Sequence, residues 1–474
     1  MNRRRFISAA SMAGAALLTA PYVSVLGAAN DAFPVVRIAP GKRKFTSSAV
    51  EQLIAEVTAG IENKEIAWMF ANCFPNTLDT TVDFSIENGR PDTYVITGDI
   101  DAMWLRDSSA QVWSYIPLCS KDDKLKQLIA GVINRQTKCI LIDPYANAFY
   151  KNEHKESEWK SDVTDMKPGI HERKWEIDSL CYPIRLAWGY WKETGDVSVL
   201  SKEWVNAMKL VVQTFREQQR MSGKGPYSFM RRTEFATDSV PLRGYGYPAR
   251  PNGLICSMFR PSDDATVYPY LIPSNFFAVE SLRQMEELLL AVKAPQELII
   301  DSVSLRTVVE EALQEHAVVN HKSYGSIYAF EINGYGSVNL MDDANIPSLL
   351  ALPYLIPSMA DGNTYKATRS FILSSDNPFF FSGSVGDGVG GPHVGMDYIW
   401  PMSIIMRGIT SNDDIEISYC LSVLQRCHAG TGFMHEAFLK DDASKYTRSW
   451  FAWANTLFGE FIWKVYRERP HLLS

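Results

Sequence analysis

Residues 97–111 read Thr-Gly-Asp-Ile-Asp-Ala-Met-Trp-Leu-Arg-Asp-Ser-Ser-Ala-Gln and bring Asp99, Asp101, Trp104, Arg106, Asp107 and Ser109 close together. Carboxylates and a guanidinium bond vicinal hydroxyls, and an indole covers the apolar face of a sugar ring. A cluster of these types at a loop-to-helix junction therefore suits a polyhydroxylated ligand. It equally suits a helix start capped by Asp or Ser with an Arg–Asp ion pair beside it.

Other loops carry groups of the same kind. Phe259-Arg260-Pro261-Ser262-Asp263-Asp264-Ala265 sets two adjacent acids at a Pro-Ser turn, followed by Leu271-Ile272-Pro273-Ser274-Asn275. An acid in such an aromatic setting, beside a like charge, has the raised pKa of a general acid, although Ser262 or Asp263 could simply cap a helical turn. Gly430-Thr431-Gly432-Phe433-Met434-His435-Glu436 offers a carboxylate suited to hold water as a base; the alternative is a loop acid paired with His435 or Lys440. The Gly-rich run 386–395 lacks the strand and helix context of a dinucleotide loop and reads as a loop of close approach presenting His393, with Trp400 just beyond. Glu172, Glu176 and Asp178 surround a helix start, where Asp178 either faces substrate or serves the helix dipole.

The elements that must position these loops are helical. Apolar spacing marks twelve segments: 47–63, 108–116, 121–140, 175–194, 196–220, 275–292, 295–317, 346–354, 365–373, 398–409, 413–428 and 450–467. No alternating β/α rhythm and no fixed repeat interrupts them. Twelve helices joined in pairs predict an all-α (α/α)6 toroid, with inner helix N-termini and their loops framing one concave site. Residues 37–474 form that single domain.

Before it, Arg3-Arg4-Arg5-Phe6-Ile7 leads an uncharged run and small residues near position 29, so residues 1–29 read as a twin-arginine-type signal peptide and the protein as periplasmic. Its removal takes the net charge from −7 to −10, an acidic balance with no call for nucleic acid. No later stretch is apolar for long enough to be an integral membrane segment. Seven scattered cysteines without a C-x-x-C spacing select neither a zinc site nor a disulfide pair and read as small core residues.

Taken in order, the motifs Thr-Gly-Asp-Ile-Asp-Ala-Met-Trp-Leu-Arg-Asp-Ser, Phe-Arg-Pro-Ser-Asp-Asp-Ala, Leu-Ile-Pro-Ser-Asn, Gly-Pro-His-Val-Gly with Ile-Trp-Pro-Met-Ser, and Met-His-Glu resemble glycoside hydrolase family 125 across roughly residues 40–470. That resemblance implies an (α/α)6 barrel and an exo-acting, inverting α-1,6-mannosidase that needs no metal or organic cofactor. By motif position it implies Asp263 as the proton donor, with Asp264 as the near alternative, and Glu436 as the base. It also implies a sugar held by Asp99, Asp101, Trp104, Arg106, Asp107, Asp178, Arg260, Asp264, Asn275, His393, Trp400 and His435. A glucoamylase-like glycosidase on the same barrel and a glycan-binding protein without catalysis are the alternatives. The second has no use for both Asp263 and Glu436.

Overall fold

The computed structural model describes residues 33–474, so the signal segment 1–29 lies outside the described residues. Helices α1 (Ser48–Gly60) and α2 (Lys64–Cys73) lead to α3 (Leu105–Trp113) and α4 (Asp123–Ile142). Next come α5 (Ile177–Thr194), α6 (Lys202–Gln218), α7 (Ile272–Ala291) and α8 (Gln296–His316). A short α9 (Leu352–Leu355) precedes α10 (Asn363–Ile372), α11 (Pro401–Ile409), α12 (Asp414–Cys427) and α13 (Ala452–Glu468). α3, α5, α7 and α9 pack in succession, while α11 packs on α13, which returns to α3. α9 and α11 face one another across a cavity lined by Pro353, Tyr354 and Ile409. These six form the inner ring of an (α/α)6 toroid, and α2, α4, α6, α8, α10 and α12 lie outside it. One continuous apolar core, from Val50 to Leu473, fills the space between the rings.

Side-chain caps occur at the start of α1 and of four of the six outer helices, α8 and α10 having none. Ser47, Asn63, Asp122, Ser201 and Asp413 cap α1, α2, α4, α6 and α12, each accepting a backbone N–H of the first turn. No inner helix has such a cap. They start after Trp104, Glu176, Leu271, Ala351, Trp400 and Phe451, none of which bonds its own first turn through a side chain. The positive ends of their dipoles are thus left to the loops above them.

Small antiparallel sheets stitch those loops. Met103–Trp104 pairs with Ala148–Phe149, which pairs with Ile170–Glu172. Tyr398–Ile399 pairs with Phe438–Leu439, which pairs with Asp442–Tyr446. Tyr270–Leu271 pairs with Glu331–Ile332. Each sheet gathers segments distant in sequence over the N-terminal end of the inner ring.

Several local expectations change. α3 begins at Leu105, not at residue 108, because the Ser108 and Ser109 hydroxyls bond back to the Leu105 carbonyl from within the helix. The expected helix 346–354 shrinks to α9. Pro353 falls in the first turn of α9, and upstream of it the Asp342 carboxylate takes the N–H groups of Leu349 and Leu350. α2 was not foreseen: the expected segment 47–63 ends at Asn63, whose side chain caps a further helix that begins at Lys64. Residues 82–95 form a hairpin, Val82–Glu87 with Arg90–Val95, turned by Asn88 and Gly89, both with positive φ. All seven cysteines are free and buried, and burial pushes the thiols up, Cys256 to about 11. No helix among the described residues is long and apolar enough to cross a membrane.

Gly131 lets α4 lie on that hairpin: a Cβ there would meet the Thr93 backbone nitrogen at 2.8 Å and the Asp92 carbonyl carbon at 2.9 Å. Gly131→Ala, normally stabilising in a helix, is expected to cost about 1–3 kcal/mol by overpacking. A thermal melt checks it, and an unchanged or raised Tm would contradict the close approach.

Candidate active site

Above the inner ring the loops enclose a narrow pocket of about 330 Å³ of open space, its mouth included. Trp104, Arg106 and Asp107 reach it from the start of α3, Trp400 from the start of α11, and Phe451 and Trp453 from the start of α13. Asp263 and His393 enter on the 259–265 and 391–395 loops, and Glu436 enters two residues before Phe438–Leu439. The Tyr398–Leu439 and Ile399–Phe438 pairs bring Trp400 and Glu436, which lie just beyond the strands, to the same end of one small sheet.

Arg106 organises one side of the pocket. Its Nη1 donates to Glu176 at 2.6 Å and to Asp178 at 3.1 Å, its Nη2 to Asp263 at 3.4 Å, and its Nε lies 3.4 Å from Asp107. All five side chains are buried. Burial raises Asp107 and Glu176, the latter well above the usual carboxylate range, and lifts Asp178 to about 6 despite the pull of Arg106. The Asn147 amide also donates to Asp263 at 3.4 Å and to Glu172 at 3.1 Å. Lys174 donates to the Asp263 carbonyl at 2.9 Å. Asp263 itself has φ +67°, a left-handed conformation that Asp tolerates better than most residues. Its loop is closed by Asp263 N–H to Arg260 at 2.9 Å and Arg260 N–H to Asp264 at 2.8 Å.

Arg448 organises the other side. Nη1 lies 3.6 Å from Glu436, Nη2 donates to the Thr97 carbonyl at 3.1 Å, and Nη2 also pairs with Asp99. The second Glu436 oxygen, Oε2, is buried and accepts no hydrogen bond from the protein. Gly98 makes room for this arrangement: with φ +64°, it has no Cβ to press on Arg448 Nη2, which one would meet at 2.8 Å.

The residues picked out from sequence divide accordingly. Trp104, Arg106, Asp107, Asp263, His393, Trp400 and Glu436 line the pocket, and Asp178 lies directly behind it on Arg106. Asp99 stands at its edge on Arg448. Asp264 turns to His393 at 3.5 Å; burial opposes its ionisation, but His393 and Arg260 outweigh that and hold it below its usual range. Asp263, not Asp264, thus faces the pocket.

Four more residues are not brought to the pocket. Asp101 is 79% exposed and pairs with Lys155 at 3.1 Å. Arg260 is buried against Glu331 at 2.7 Å. His435 donates from Nδ1 to the Arg448 and Ser449 carbonyls and stacks on Tyr446; burial lowers it to about 4, so its ring is neutral. Because a carbonyl oxygen only accepts, the neutral ring carries its proton on Nδ1. Asn275 is fully buried and spends its amide on the backbone, accepting from Ile255 N–H at 2.8 Å and donating to Ile255 and Leu271 carbonyls. Sequence reading missed Asn147, Lys174, Asn345, Arg448, Phe451 and Trp453. The Trp450-containing aromatic helix start pointed at the last two.

The profile of a family described as metal-independent alpha-mannosidase (GH125) matches residues 63–463. The Meiotically up-regulated gene 157 protein of Schizosaccharomyces pombe is 39% identical over 460 residues, 93% of this chain and 90% of its own length. A solved metal-independent α-mannosidase of Streptococcus pneumoniae, in a non-productive complex with α-1,6-mannobiose, is 40% identical. It superposes with a TM-score of 0.86 over 90% of this chain and 100% of its own. A GH78 rhamnosidase of Bacillus sp. GL1, 12% identical, covers 84% of this chain and 34% of its own at a TM-score of 0.51, a likeness of fold alone.

Because Asn275 bonds only backbone, Asn275→Ala should lower stability by about 3 kcal/mol, with three backbone groups left unpaired. KM should stay unchanged. Denaturant melts with kinetics read both; a raised KM at full stability would return Asn275 to the ligand.

Proposed function

We propose that this chain, which belongs to the metal-independent α-mannosidase family GH125 and is thus a glycoside hydrolase, is an exo-acting, inverting α-1,6-mannosidase. Its substrates are terminal non-reducing mannose residues of α-mannosides or of oligosaccharides derived from N-glycans. The observation that carries this reading is that Asp263 and Glu436 face one narrow aromatic pocket from two separate loops, each beside a different guanidinium.

An inverting glycosidase needs an acid at the glycosidic oxygen and a base that activates water on the opposite face of the ring. Asp263 is the acid, in a setting of buried like charges that favours its protonated form. Glu436 is the base; its unpaired Oε2 offers the lone pair that a water needs. Arg106, Asp107 and His393 hold the hydroxyls of the terminal sugar, and Trp104 and Trp400 cover its apolar faces. Support for the α-1,6 linkage comes from the mannobiose bound by the pneumococcal relative. The Arg3-Arg4 pair supports export to the periplasm by the twin-arginine route.

Incubation with α-1,6-mannobiose, followed at once by NMR, should show β-mannose as the first-formed sugar. Retained α configuration, or cleavage of isomaltose in preference to mannobiose, would overturn the reading. Asp263→Asn and Glu436→Gln should each lower kcat by about 100- to 10,000-fold, the range of general acid–base catalysis. Replacing Arg3 and Arg4 by Lys should leave the protein in the cytoplasm on fractionation; unaffected export would remove the twin-arginine assignment.

A further inference from the structure

One guanidinium cannot neutralise the four carboxylates that surround Arg106. Asp107 reaches it from α3, Asp178 from α5, Glu176 from the residue before α5, and Asp263 from the acid loop. A second cation beside Asp263, Lys174, is shared with Asp238 at 2.7 Å and Glu172 at 3.5 Å. Asp264, the next residue along, is held by His393. In a buried site like charges repel strongly, so such a cluster keeps protons on some of its acids at neutral pH.

Geometry singles out the pair that shares one. The two arms of the Arg106 guanidinium hold Glu176 at 2.6 Å and Asp263 at 3.4 Å side by side, and two buried carboxyls so placed favour a proton shared between them. The Asn147 amide leans on both, at 3.5 Å from Glu176 and 3.4 Å from Asp263, and Ser179 donates to Glu176 at 2.8 Å. Glu176 is fully buried and does not line the pocket, whereas Asp263 does. Only one member of the pair can therefore reach a substrate.

We propose that Glu176 is a positioning residue that shares a single proton with Asp263 and so keeps the acid loaded at neutral pH. The inference rests on the assignment of Asp263 as general acid. In the reaction the shared proton passes from Asp263 to the glycosidic oxygen as the C–O bond breaks, leaving both carboxylates ionised beside Arg106. Water adds to the anomeric carbon and gives its proton to Glu436, which releases it to solvent. One proton from solvent then restores the pair. Burial lifts Glu176 well above its usual range, in keeping with this role.

The test is the pH dependence of kcat/KM for Glu176→Gln with two substrates, α-1,6-mannobiose and dinitrophenyl α-mannoside, whose leaving group needs little protonation. Without its like-charged partner Asp263 should lose its proton sooner. The alkaline limb for mannobiose should move down by about one pH unit or more, a tenfold change or greater in proton affinity. Turnover of the dinitrophenyl substrate should be largely spared. Glu176→Asp, which keeps a carboxyl but retracts it by one methylene, should shift the limb the same way by less and covers the case in which the Gln variant does not fold. A uniform fall at all pH values with the limb unmoved would overturn the proposal and leave Glu176 a structural ion-pair partner. Asp263→Asn is the control: loss on mannobiose with the dinitrophenyl substrate spared supports the acid assignment, and full mannobiose activity would overturn that assignment itself.

Discussion

The site is built around a shortage of positive charge. Arg106 faces four acids where water scarcely reaches, and Lys174, beside Asp263, is itself shared with Asp238 and Glu172. A guanidinium in this position fixes geometry through its planar fork and keeps its own charge, so the adjustment falls on the acids. The raised Asp107, Glu176 and Asp178 carboxyls are that adjustment. α3, α5 and the acid loop converge on one side chain, and a change in any of them alters the protonation of the rest.

Glu436 lies in a different electrostatic setting. Arg448 is shared between Glu436, Asp99 and the Thr97 carbonyl, so Glu436 stands beside a cation that it divides with one acid. The two carboxyls of an inverting hydrolase must differ in charge at the same pH, one protonated and one ionised. Asp263 and Glu436 are both buried, and what distinguishes them is the ratio of cations to anions beside each.

Much of this could be read from the residues in order. The toroid followed from twelve periodic segments, and the pocket residues from motifs whose members lie close in sequence: Trp104 with Arg106 and Asp107, His393 with Trp400, and Asp263 in its turn. What could not be read depends on pairings across the chain. Arg448 meets Asp99 from 349 positions away, and nothing local marks it as different from any other loop arginine. Asn147 and Lys174 enter because three two- or three-residue strands align, too short to leave a periodic signal. The errors have the same origin. Asn275 and Arg260 sit in polar motifs near the site, and sequence spacing does not tell a side chain that faces a ligand from one that clips the backbone or fills a buried ion pair. Ser108 and Ser109 look like caps but bond the preceding turn, a choice the tertiary packing of α3 decides.

The absence of side-chain caps on the inner helices makes the loops above them structural members as well as ligand carriers. The outer helices that carry their own caps can end and restart without help, which makes that shell tolerant of change. Each inner helix instead borrows its ending from segments that also hold Trp104, Glu176, Trp400 and Phe451. Modularity in this fold therefore has a grain size: a specificity loop cannot be exchanged alone, because it travels with the strand partners and the helix start it completes. A graft or a natural recombination that kept the barrel intact would have to move the stitched segments together, Met103–Trp104 with Ala148–Phe149 and Ile170–Glu172, or Tyr398–Ile399 with Phe438–Leu439.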